Sequence, residues 1–111
     1  MEPPSEPFAI EESQRDGTTV LMLFGELDLA YADRLSSRLA ELRDRGQAVI
    51  LDLDRLEFID SSGLRVLLQA TQDSEGGAWR FQVTRGSEAV ARLLHGAGLE
   101  GRLPTVEDPG G

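Results

Sequence analysis

Apolar and polar positions change rhythm several times along this chain, and each change predicts an element. Phe8, Ile10 and Ser13 alternate loosely with acidic residues, which suits a first edge strand. Asp16-Gly17 is a turn signal, and Thr18 to Phe24 (TTVLMLF) reads as a second strand, so the two form a hairpin. That second strand is nearly all apolar, which predicts cover on both of its faces. Gly25-Glu26-Leu27-Asp28 reads as a break. Next comes a helix from about Leu29 to Arg45, with Ala32, Leu35, Leu39 and Leu42 on one stripe and Gly46 as its stop.

Ala48 to Leu53 (AVILDL) is the strongest buried-strand signal. A short polar connection leads to Phe58-Ile59, and Asp60-Ser61-Ser62-Gly63 then opens a second helix. Leu64, Leu67, Leu68 and Thr71 are expected on its inner face. Gly76-Gly77 is a turn. Trp79, Phe81 and Val83 alternate with polar residues as a half-buried strand. Ser87 can cap a third helix, with Val90, Leu93, Leu94 and Ala97 inward and Gly96 and Gly98 at its end. Arg102 to Val106 reads as a short last strand, although Pro104 weakens it. The predicted order is β-β-α-β-α-β-α, with an optional final β. This is an α/β domain with a mixed, mostly parallel sheet, an N-terminal hairpin and packed helices. Residues 8–106 form the domain, and 1–7 and 107–111 read as flexible tails.

Composition narrows the chemistry. The 111 residues suit one core, and 40% are hydrophobic. There is no cysteine, which removes disulfides, thiol catalysis and cysteine metal sites. All eleven basic residues are arginine, so no lysine can serve as a Schiff base, a general base or a phosphate holder. A formal net charge of −9 disfavours direct nucleic-acid and anionic-membrane binding and favours protein partners with basic surfaces. Neither a signal-peptide pattern nor a membrane-length apolar run is visible, so a cytoplasmic monomer is expected. The arginines of the first helix lie among Asp33, Glu41 and Asp44 and read as a solvated face. His95, the one histidine, sits late in the third helix, where a capping or surface role is favoured. No catalytic residue, metal or cofactor is implied, and the expectation is a protein that is not an enzyme.

Leu51 to Leu68 is the most informative stretch. In α/β sheets, sites gather beyond the carboxyl ends of strands. A helix N-terminus offers unpaired N–H groups and the positive end of a dipole. A phosphate on Ser61 could be held there, and would add roughly −1.5 to −2 charge beside Asp60. On local physics alone, Asp60 or Ser61 can equally be an ordinary N-cap, with Gly63 admitting a close neighbour.

Phe58-Ile59-Asp60-Ser61-Ser62-Gly63-Leu64 after AVILDLDRL resembles the signature of the anti-sigma factor antagonists of the STAS family, and Gly25-Glu26-Leu27-Asp28 is similar to that family's other recurring segment. The resemblance spans about residues 8–106. It implies a partner switch. The unphosphorylated protein binds an anti-sigma factor, a serine kinase of the histidine-kinase-like ATPase fold, and frees a sigma factor. Phosphorylation at Ser61 (second choice Ser62) ends the binding, and a metal-dependent serine phosphatase resets it. Asp28, Asp60, Ser61, Ser62, Gly63 and Arg65 are the implied partner-facing residues. Arg65 departs from the glycine common there in the family. An alternative within the family is an accessory subunit of a lipid-transporting ABC complex. A response-regulator receiver built on Asp52, Asp54 and Asp60 is disfavoured by the missing lysine, and Asp52 and Asp54 read instead as a solvated strand end.

Overall fold

A computed structural model of the chain describes residues 7–107. The expected tails lie outside these residues apart from Pro7 and Glu107. Strand β1 (Phe8–Arg15) and strand β2 (Thr18–Leu27) form the predicted hairpin. Asp16 and Gly17 both have positive φ, 51° and 82°, the pair of left-handed conformations that lets a two-residue turn follow the strand twist.

Helix α1 (Leu29–Asp44) buries Ala32, Leu35, Leu39 and Leu42, the stripe read from the sequence. It stops as Gly46 predicts. Gly46 adopts φ 68°, its N–H donates to the Arg43 carbonyl, and the Gln47 N–H reaches back to the Leu42 carbonyl, so the last carbonyls are satisfied. Strand β3 (Ala48–Asp52) then pairs parallel to β2 over Thr18 to Met22.

The next segment departs from expectation. Leu56–Ile59 is a strand, β4, and it pairs parallel with the far end of β2. β2 therefore does not break at Gly25. It runs on to Leu27, with a register shift between Gly25 and Glu26, and serves β3 and β4 in succession. Gly25 makes this possible. Its φ is +85°, and a Cβ there would lie 2.0 Å from the Pro7 carbonyl oxygen.

Helix α2 (Ser61–Ser74), strand β5 (Phe81–Thr84), helix α3 (Glu88–Gly96) and strand β6 (Thr105–Val106) complete the order β-β-α-β-β-α-β-α-β. The sheet runs β1-β2-β3-β5-β6, with β1 antiparallel and the other pairs parallel. α1 and α2 pack on each other, α1 on β2 and β3, α2 on β4 and β5, while α3 packs on β4. Leu21, Leu23, Val49, Leu51, Phe81 and Val83 join Leu35, Leu39 and Leu67 in one core cluster. Trp79 belongs to it and donates its indole N–H to the Gln47 carbonyl at 2.8 Å.

Two helix faces are turned from their predicted orientation. α2 buries Gly63, Leu67 and Ala70, while Leu64, Leu68 and Thr71 lie at the margins. The two small residues let the helix axis come close to the sheet, and that rotates the leucines aside. α3 buries Val90 and Leu94 but leaves Leu93 and Ala97 exposed. The helix ends at Gly96. Gly98 turns the chain at φ 77°, and the Leu99 N–H bonds the Leu94 carbonyl, so Leu99 fills the place expected of Ala97.

Candidate functional site

The site grows from the interruption between β3 and β4. Asp52 ends β3 only 4% exposed, so it is not the solvated strand end that its charge suggested. Its carboxylate accepts the Asp54 N–H at 2.9 Å. Thr84 Oγ1 accepts the Leu53 N–H at 2.8 Å and donates to Asp54 at 2.9 Å, which also receives the Gly86 N–H. Ser87 caps α3, accepting from the Val90 N–H, and donates to the Leu56 carbonyl. These bonds satisfy the polar groups of a turn whose flanks, Asp52, Leu53 and Leu56, are buried while Asp54 and Arg55 are exposed. They commit Asp52 and Asp54 to structure, and Asp60 lies elsewhere, at the start of α2. Among the described residues, no cluster of three or more His, Asp or Glu could hold a metal ion.

From that fixed turn, β4 carries the chain outward along the extension of β2. Leu27 pairs with Ile59, and the Asp60 N–H donates to the Leu27 carbonyl at 3.1 Å. Beyond this point both chains enter helices. Asp28 caps α1, accepting from the Ala30 N–H at 3.0 Å. Asp60 caps α2, accepting from the Ser62 and Gly63 N–H groups at 2.8 and 3.1 Å. Two helix N-termini thus stand side by side, each with an aspartate on it. Gly63 sets their spacing, because a Cβ there would lie 2.7 Å from Ile59 Cγ1 and 2.9 Å from Leu27 Cγ. The residues expected at the site, Asp28, Asp60, Ser61, Ser62, Gly63 and Arg65, fall on these two helix starts.

Asp60 also changes the chemistry expected of the helix end. Two of the N–H groups expected to face a phosphate, those of Ser62 and Gly63, are already taken by its carboxylate. Ser61 is the first helical residue, exposed, and its hydroxyl takes no part in hydrogen bonding among the described residues. Ser62 is half-buried, Gly63 is buried, and Arg65 is exposed one turn further on. Glu26 and Glu57 are exposed nearby and add to the negative charge of the two caps.

Two apolar residues of this surface escaped the sequence reading. Leu29 is 77% exposed at the first position of α1, and Phe58 is 40% exposed on β4 beside Glu26. Spacing alone puts Leu29 on the buried stripe, three residues before Ala32. For Phe58, successive strand residues point to opposite faces, so Phe58 and Ile59 face opposite sides of β4 and only the side of Ile59 is covered.

Some other charged groups are tied into pairs. Arg38 grips Glu12 of β1 with both ends of its guanidinium, and its Nη2 lies 2.9 Å from Oε2. Arg43 reaches Asp73 of α2 at 2.8 Å. His95 pairs with Glu100 beside a groove of about 400 Å³ between α3 and the 99–105 segment. No helix among the described residues is long and apolar enough to cross a membrane.

Comparison with known proteins agrees with this architecture. The family model described as STAS domain matches residues 9–109. The anti-sigma-F factor antagonist RsfB of Mycobacterium tuberculosis is 33% identical over 89 residues, covering 79% of this chain and 72% of the relative. The crystal structure of an anti-sigma factor antagonist from Mycobacterium paratuberculosis superposes with a TM-score of 0.79 at 26% identity, over 96% of this chain and 92% of that one. The anti-sigma factor antagonist SpoIIAA matches in its unphosphorylated form with a TM-score of 0.74 at 25% identity, over 90% and 88% of the two chains. The phosphorylated form of the Bacillus protein matches at 0.66 and 26% identity, over 91% and 90%.

Proposed function

This chain belongs to the STAS domain family, and on that premise we propose that it is an anti-sigma factor antagonist switched by phosphorylation of Ser61. The unphosphorylated protein binds an anti-sigma factor, a serine kinase with a histidine-kinase-like ATPase fold, and so frees a sigma factor in the cytoplasm. The kinase phosphorylates Ser61, the complex parts, and a serine phosphatase restores the hydroxyl. The chain itself catalyses nothing in this cycle.

The observation that carries the reading is the position of Ser61. Its hydroxyl is exposed at the start of α2, while Asp60 does the capping. The fold therefore has no need of this hydroxyl, and a kinase can reach it. Ser62, half-buried one residue on, is the poorer target. A phosphate on Ser61 would add roughly −1.5 to −2 charge to a surface that already carries Asp28, Glu26, Glu57 and Asp60. A partner face that accommodates the neutral serine would meet a concentrated anion. The relatives' names and the existence of a phosphorylated SpoIIAA support the same reading.

The test is peptide mapping by mass spectrometry of protein from its native host, with and without serine phosphatase, joined to binding of Ser61→Ala and Ser61→Asp to the anti-sigma factor. A phosphatase-sensitive phosphate on Ser61 is expected, with tight binding by Ser61→Ala and weak binding by Ser61→Asp. Wild-type affinity in Ser61→Asp would sink the proposal.

A further inference from the structure

We propose that Arg65 binds the phosphate carried on Ser61, so that the phosphorylated protein holds its own phosphate in an intrachain ion pair on the flank of α2. The inference rests on Ser61 as the modified residue, and it concerns where the added charge goes.

Three observations lead there. Two of the helix-end N–H groups are already taken, because Asp60 accepts those of Ser62 and Gly63 at 2.8 and 3.1 Å. The same carboxylate, with Asp28 on the neighbouring helix start, repels an incoming dianion. Arg65 lies four residues after Ser61 in α2, and residues so spaced are neighbours with Cβ atoms about 6 Å apart. Helical side chains lean back over the preceding turn, so a long arginine at this position covers the surface beside Ser61. Finally, Arg65 is exposed and makes no ion pair or hydrogen bond among the described residues. A guanidinium presents a donor fork that matches phosphate oxygens.

Phosphorylation would then do two things at once. It places an anion on the partner-facing surface, and it draws in a cation that the unphosphorylated protein leaves free for a partner.

The experiment uses the full chain with phosphoserine installed at position 61 by genetic encoding, which needs neither kinase nor partner. The second phosphate ionisation is followed by phosphorus NMR in wild type, Arg65→Lys and Arg65→Gln. Pairing favours the dianion, so its pKa should be higher in Arg65→Gln than in wild type by about 0.3 to 0.5 units, with Arg65→Lys between. The gap should shrink in high salt. An identical titration in wild type and Arg65→Gln would overturn the proposal. So would large, equal shifts of the Ser62 and Gly63 amide protons in both proteins on phosphorylation, because these would mean that the phosphate had displaced Asp60. Absence of phosphate from Ser61 in the native host would remove the switch proposed above and leave this titration unaffected.

Discussion

The backbone N–H of Asp60 lies 3.1 Å from the carbonyl of Leu27, and this bond joins the two segments that stood out in the sequence. One residue beyond it on each chain, a helix begins. The distance between the two helix starts is therefore set by a strand pair, Leu27 beside Ile59, and not by loops. Rigid placement of this kind lets a surface recognise a partner without first paying the entropy of ordering.

Gly63→Ala should lower stability. Alanine is the better helix former by about 1 kcal/mol, which taken alone would stabilise α2. Its methyl, however, would press on Ile59 Cγ1 and Leu27 Cγ, both in fully packed side chains. Overpacking of this sort costs about 1–3 kcal/mol. A net fall in urea-unfolding free energy is expected, and a variant as stable as wild type would refute the close packing.

Ser61→Ala and Asp60→Ala should separate capping from switching. Asp60 makes the capping bonds, so its loss should cost about 1 kcal/mol. Ser61 makes none, and Ser61→Ala should stay within about 0.5 kcal/mol of wild type, as surface substitutions do. Thermal unfolding of the two variants checks the order, which must not reverse.

Thr84→Val should cost about 1–3 kcal/mol, because the Leu53 N–H then loses its acceptor inside the protein. Thr84→Ser keeps the hydroxyl and should recover most of that loss. If valine proves harmless, the turn between β3 and β4 does not depend on this hydroxyl.

Acid should weaken the link between β1 and α1. The hydrogen bond from Arg38 holds the Glu12 carboxyl below its ordinary value of 4.5. The carboxylate's contribution is complete above 4.5 and is lost as pH falls through the lower folded-state value. The pair is solvent-screened, so the effect is below about 1 kcal/mol. Glu12→Gln should be less stable than wild type at pH 7, and the two urea midpoints should converge towards pH 3. A constant gap would rule out this ionisation as the cause.

Much of this was legible in the sequence, because local rules decide it. Asp16-Gly17 fixes the hairpin, Gly46 and Gly98 end helices by adopting positive φ, and Ser87 caps α3. The Asp60-Ser61-Ser62-Gly63 run was correctly placed at a helix start. What escaped is decided by distant partners. β4 has only four residues, too few for a periodicity, and exists because β2 continues past Gly25 to meet it. Asp52 is an acidic residue yet buried, and its carboxylate accepts the Asp54 N–H in place of water. Leu29 and Phe58 look like core by composition, and only the ends of the packed layers leave them in solvent.

The contact of Gly63 with Leu27 and Ile59 also bears on how such a sequence can drift. Three positions from three elements share one small volume, and none can grow unless another shrinks. Sequences descended from a common ancestor should therefore change these positions together or keep all three. An alanine at the glycine position should be accompanied by a smaller residue at one of the other two. Covariation among the three would then mark the packing of the two helix starts, separately from any selection on the serine that they present.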